Sequence, residues 1–233
     1  MKLGVTAAWT APKIRFGLAL LGASLASLVL FGYGALRNHS FDYNYLVTNL
    51  CLAWLPLVFA AWLSALLKRK LWSSWSALVA SVLWLLFLPN SFYMVSDFIH
   101  LQEVQRVDVL YDAVMFAAFI FTAVALGLTS LFLVHREFAK RFSPVGSSLW
   151  LAAIFVLCGF AIYLGRDLRW NSWDVLTNPG GLLFDISDRL LHPSAYPSML
   201  LTVFSFFIFL VGVYGITWTA AQLLRPAADH KQR

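Results

Sequence analysis

Apolar runs close to the length of a membrane crossing alternate with short polar breaks from one end of the chain to the other. Residues 16–36 form an unbroken uncharged run, followed by a polar turn at Arg37–Asn44. Further runs cover 45–67, 74–93, 111–134, 147–165 and 198–224. Each is near the roughly 20 residues that carry a helix across a hydrocarbon core about 30 Å thick. Backbone groups in lipid must be satisfied within the segment, and the strict alternation of a membrane barrel strand is absent, so the runs read as helices. The expected fold is therefore all-α: a polytopic transmembrane helix bundle of six spans. A 1–15 N-terminus, longer polar loops at 94–110 and 166–197, and a 225–233 tail complete it.

The first run reads as a retained span rather than a cleaved leader. A leader's apolar core is about 7–15 residues long, whereas this run continues past the small-residue stretch Ser24-Leu25-Ala26 that mimics a cleavage site. Pro89 falls near the end of the third run and restricts Leu88, so that span ends, kinks or restarts there.

Composition agrees with a membrane protein and removes the soluble alternatives. The chain is 61% hydrophobic and 12% charged, with mean hydropathy +0.75; soluble domains carry about 25% charged residues. The formal charge of +6 looks at first like a nucleic-acid signal. Placing the charges changes that. The N-terminus, the loops at 68–73 and 135–146 and the tail hold twelve Lys and Arg against Glu137 and Asp229, while the opposite loops hold five Arg against nine acids. That asymmetry puts both termini in the cytoplasm (N-in/C-in) by the positive-inside rule. The partner is then a lipid bilayer, with a protein partner or a second copy open, and no nucleic acid. Cys51 and Cys158 sit inside apolar runs and read as small buried hydrophobes rather than a disulfide framework.

With this orientation the dense polar chemistry lands on the outer side. One block carries Asn90, Tyr93, Asp97, His100, Glu103, Asp108 and Asp112; the other carries Arg166, Asp167, Arg169, Trp170, Asn171, Trp173 and Asp174. If a helix restarts at Pro89, Tyr93, Asp97 and His100 share a face, and Phe92, Val95 and Ile99 share an apolar one. Asp97 and His100 are then the candidates for acid–base work. With Asp108 and Asp112 they are also candidate ligands for a divalent metal, although Asp-x-x-His alone is a weak pattern. The bland alternative has Asp108 capping a helix and Asp97 paired with Arg166 or Arg169. In the second block Arg166, Trp170 and Trp173 fall on one helical face, and Asp167, Asn171 and Asp174 on another. Two Arg beside two Trp suit an anion as well as a membrane anchor. Asn90, Tyr93, Arg166, Arg169, Trp170, Asn171 and Asp174 are the candidate ligand-binding residues. Asn178-Pro179-Gly180-Gly181 reads as a turn. Beyond it Leu182, Leu183, Ile186 and Leu190 line one side of an amphipathic segment, which serves as an interfacial helix, a lid or a connecting loop.

Leu88-Pro89-Asn90 with Tyr93, Asp97 and His100-Leu101, then Tyr111-Asp112, then Tyr163-Leu164-Gly165-Arg166 with Arg169-Trp170-Asn171-Ser172-Trp173-Asp174, together resemble a bacterial membrane family. It is the uncharacterised multi-pass family catalogued as domain of unknown function 1361. The resemblance covers about residues 45 to 220 and implies a multi-pass protein of the bacterial inner membrane, with no activity, cofactor or catalytic residue attached. Three functions stay open. One is a structural or partner-binding membrane protein. Another is an outer-leaflet enzyme or binding protein for a lipid or anionic envelope molecule, with or without a metal. The third is a small-solute transporter, which span interiors free of ionisable residues disfavour and which would need a path through Asn49, Thr122 or Gln222.

Overall fold

The structure, a computed structural model, describes residues 3–39, 41–103 and 109–223. In chain order the helices are α1 (Leu3–Asn38), α2 (Asn44–Leu66), α3 (Trp75–Tyr93), α4 (Val109–Phe138), α5 (Pro144–Asp167), α6 (Asp174–Thr177), α7 (Pro179–Leu191) and α8 (Pro197–Leu223). Short 3-10 helices cover Met94–Glu103 and Pro193–Ala195, and the described residues contain no strand. Six helices are long and apolar enough to cross a membrane, α4 being the most buried of them and α1 the least. The all-α, six-span expectation holds.

The chain divides into two compact units. The first comprises Met1–Ala61 with Ala80–Ser130. Its helices meet through isolated hydrogen bonds between apolar surfaces. Trp54 donates its indole N–H to Ser24 Oγ at 3.2 Å, and Ser27 and Thr122 share a hydroxyl contact at 3.4 Å. Ser91 Oγ donates to the carbonyl of Ala53 at 3.1 Å, Trp84 donates to Ser130 Oγ at 3.3 Å, and the Tyr111 hydroxyl donates to the carbonyl of Leu30. Such bonds add about 0.6 kcal/mol each between helices in lipid. Their larger effect is on register, since a polar atom slid away from its partner faces hydrocarbon. Gly127 lets α4 come close to α3: a Cβ there would lie 2.7 Å from Ser91 Cβ and 2.8 Å from Phe92 Cζ.

The second unit comprises Trp62–Val79 with Leu131–Arg233. Its main packing is α5 on α8, and Gly159 sits at the crossing, where a Cβ would lie 3.0 Å from both Cα and O of Val203. At one end, buried His135 meets the Tyr214 hydroxyl through Nδ1 at 2.8 Å and lies 4.1 Å, ring to ring, from Trp218. The basic residues that follow fold back: Glu137 pairs with Lys140 at 2.5 Å and Arg141 at 3.3 Å, and Arg141 covers Trp72, which stacks on Phe138.

Two expectations about local structure change. Pro89 neither ends nor restarts the third helix, because α3 runs through it to Tyr93. Neither cysteine is in a disulfide, and only Cys158 is buried; Cys51 is exposed on α2.

The Gly159 crossing generates a test. Gly159→Ala must push against backbone rather than a movable side chain, so it is expected to destabilise by about 1–3 kcal/mol, read as a lower Tm of the purified protein in detergent. Gly212→Ala on α8 meets nothing within 4 Å and serves as the control, with Tm unchanged or slightly raised.

Candidate functional site

The first polar block begins where α3 tightens into the 3-10 helix. In an α-helix Tyr93, Asp97 and His100 would share a face, but a 3-10 helix repeats every three residues. The buried stripe is therefore Met94 and Asp97, continuing to half-buried His100, while Phe92 is fully buried and Ile99 is exposed. The expected Phe92–Val95–Ile99 face does not form. Tyr93 belongs to the last turn of α3, where its carbonyl accepts from Ser96 Oγ at 2.6 Å.

Asp97 is 2% exposed, and Asn49 of α2 donates its amide N–H to Asp97 Oδ2 at 3.2 Å. The imidazole of His100, close enough to act on the Asp97 carboxylate, also packs edge-on against the Tyr45 ring at 5.5 Å. Within its own unit Asp97 thus meets an amide and an imidazole. Asn90 turns its amide back to the carbonyl of Phe87 at 3.1 Å. Asp112 is buried in the first turn of α4, where the helix dipole favours a carboxylate. Asp108 lies outside the described residues. Among the described residues no three His, Cys, Asp or Glu side chains gather as a metal site.

The second block is built at the end of α5. The helix stops at Asp167, so the helical faces expected to unite Arg166 with Trp170 and Trp173, and Asp167 with Asn171 and Asp174, do not form. Arg169 instead takes φ 61°, and the Trp170 N–H reaches back to the carbonyl of Leu164 at 3.1 Å. Glycine or asparagine is the usual residue at such a helix exit. Arg169 is exposed and makes no ion pair among the described residues; Arg166 is exposed too, with Asp167 Oδ1 3.5 Å from its Nε. Asp174 secures the loop that follows, accepting from the Asn171 backbone N–H at 2.6 Å and from Thr177 Oγ1 at 3.0 Å. Its carboxyl is held below the ordinary range, chiefly by that backbone bond.

The sequence reading missed a third cluster. Asn178 is not a turn residue but the N-cap of α7, its side chain accepting from Gly181 N–H at 3.1 Å with Pro179 in the first turn. On α7, Arg189 is buried and donates from Nη1 to Asp185 Oδ1 at 3.0 Å, and its guanidinium lies 4.7 Å from the centre of the Tyr196 ring. The other Asp185 oxygen accepts from the Trp170 indole N–H at 2.7 Å. Asp188 accepts from the Tyr196 hydroxyl and from His192 Nδ1 at 3.1 Å. The signal was available: Asp185–Arg189 and Asp188–His192 are both acid-before-base pairs at i, i+4.

Six helices long and apolar enough to cross a membrane, with charged clusters near helix ends, define a polytopic α-helical membrane protein. Residues 48–212, more than half the chain, match the family described as "Protein of unknown function (DUF1361)", and the chain belongs to it. Neither the curated proteins nor the solved structures contain a match.

The Asp188–Tyr196 bond has a defined pH window. The Tyr196 hydroxyl, then His192, holds the Asp188 carboxyl below its ordinary value, and the Asp188 carboxylate holds the Tyr196 phenol above its own. A depressed carboxyl contributes stability above its unfolded value of about 4 and loses it as pH falls through the folded one. A raised phenol contributes below about 10 and loses it as pH rises through the folded value. The Tm difference between wild type and Tyr196→Phe should therefore be level around neutrality and narrow at both extremes. A difference independent of pH would mean that this bond is not between carboxylate and phenol.

Proposed function

We propose that this is a bacterial inner-membrane protein, N-in and C-in, that binds an anionic ligand at the outer end of α5. The ligand is a lipid head group or a soluble envelope anion. The loop-charge asymmetry supports the orientation. The observation that carries the binding role is Arg169. A non-glycine residue in the left-handed region costs of order 1–3 kcal/mol, and here it holds an exposed guanidinium with no carboxylate partner among the described residues. Arg166, one turn earlier, is the second cation, and a guanidinium fork matches phosphate or carboxylate oxygens in pairs. Trp170 and Asn171 position the loop rather than hold the ligand: the Trp170 indole is committed to Asp185, and the Asn171 amide donates to the carbonyl of Arg169 at 3.4 Å.

A second reading, a structural or partner-binding membrane protein, is favoured by Asp97. Its carboxylate is buried against Asn49 and ties the 3-10 helix to α2, a joining role rather than a site. Asp97 and His100 as acid–base or metal residues remain part of the proposal only if a ligand reaches them.

Arg169→Gly separates these readings. The variant relieves left-handed strain of about 1–3 kcal/mol, and the extra freedom glycine gives the unfolded chain takes back about 0.4–1 kcal/mol, so without ligand its stability is expected to hold level or rise. It also removes a charge-assisted bond of about 1.5–3 kcal/mol, so phosphatidylglycerol should raise the wild-type Tm and raise that of the variant much less. Inorganic phosphate tested in parallel tells a soluble anion from a head group. Equal stabilisation of both proteins by both probes, or of neither protein by either, would sink the anion-binding reading and leave the structural one.

A further inference from the structure

The polarity of α7 is inverted. At about 100° per residue, Leu183, Phe184, Ser187, Leu190 and Leu191 occupy one continuous arc of the helix. All five are exposed, and Ser187 is the lone polar residue among them. The arc turned toward the protein carries the charges: buried Arg189 with its Asp185 partner, and Asp188 bonded to Tyr196. A helix lying on a soluble protein shows the opposite arrangement, with its charges outward in water.

The depth of the helix follows from what its inner side touches. Leu182 and Ile186 pack against Tyr163 and Leu164, in the last turns of α5, and against Met199, in the first turn of α8. Both are long and apolar enough to cross a membrane, so their ends lie near its surface. The exposed arc of α7 is thus held near that surface, at the same end as the exposed apolar side chains Leu200, Leu201 and Phe204 of α8. Leu176 of α6 is exposed just before it, and Trp173, a residue type favoured at the membrane–water interface, is half-exposed.

We propose that α7 is sunk into the bilayer at this surface, with Leu183, Phe184, Leu190 and Leu191 in contact with the upper acyl chains and the Arg189–Asp185–Trp170 cluster sealed beneath it. The occupant of the exposed arc is lipid, because the arc continues the lipid-facing surface of α8 and offers no charge to a polar partner. The ion pairs turned inward spare the helix from carrying charge into the acyl region, which is what permits it to lie below the head groups.

The test uses the full chain in vesicles of phosphatidylcholine alone, so that its result does not depend on an anionic ligand. A fluorescent label is placed at Ser187→Cys, and separately at Leu191→Cys, in a Cys51→Ser background; Cys158 is buried and out of reach of the dye. Embedded labels should emit to the blue of the free dye, lose most of their emission to lipids carrying a spin label near the head group, and be little affected by aqueous iodide. Iodide quenching close to that of the free dye, without lipid quenching, would put α7 in water and overturn the proposal. Shielding from both quenchers would overturn it in favour of a second copy or a protein partner. Agreement between the two label positions guards against a local disturbance from either substitution.

Discussion

Lipid supplies no hydrogen bonds, and this one constraint governs the architecture. Each crossing segment must satisfy its own backbone, which makes it a helix. The helices cannot then be joined by the hydrophobic effect, because a neighbouring leucine is no better a solvent than an acyl chain. Close approach and single polar contacts have to do the joining. Gly127 and Gly159 provide the approach, while Trp54–Ser24, Trp84–Ser130, Ser91 to the Ala53 carbonyl and His135–Tyr214 provide the contacts. Each bond uses a side chain whose polar part is one N–H or one O–H on an otherwise apolar frame. Such side chains can sit in a span without calling water in after them.

The same economy explains where the charges are. Asp185 has two carboxylate oxygens, and the chain gives one to Arg189 and the other to Trp170, so a single acid ties α7 to the loop that leaves α5. Asp188 does the same for Tyr196 and His192. The segment between α5 and α8 is consequently a folded element whose polar groups are bonded to one another, and its apolar groups are what it presents outward. Arg169 departs from the pattern, since it keeps a costly backbone conformation and holds its charge out of the network.

How much of this was legible in the sequence depends on the length scale. The spans were plain, because about twenty apolar residues in a row have few other physical solutions. Pro89 misled, because proline's effect on a helix depends on whether the freed carbonyl finds another partner, a tertiary matter. The face shared by Tyr93, Asp97 and His100 was argued with the α period, and the switch to a three-residue period after Tyr93 has no sequence mark. Asp97 and His100 nevertheless stay on one side, because a spacing of three serves both helix types. Asn178-Pro179 suits a cap followed by a first-turn proline as well as a turn, and the two glycines after it do not separate the two. Arg189 falls off the apolar side that the sequence outlines, and only the fold shows that its side of α7 faces inward.

Helix α4 contributes 30 residues, about 45 Å of rod at 1.5 Å per residue, against a hydrocarbon layer of about 30 Å. A rod longer than the layer must lean or project, and each choice carries an energy that varies with bilayer thickness. His135 and Phe138, near its C-terminal end, are pinned to Tyr214 and Trp72, which restricts the freedom of α4 to adjust. Membrane thickness thereby becomes a mechanical load on the protein, and lipid chain length a variable that sets how comfortably it sits.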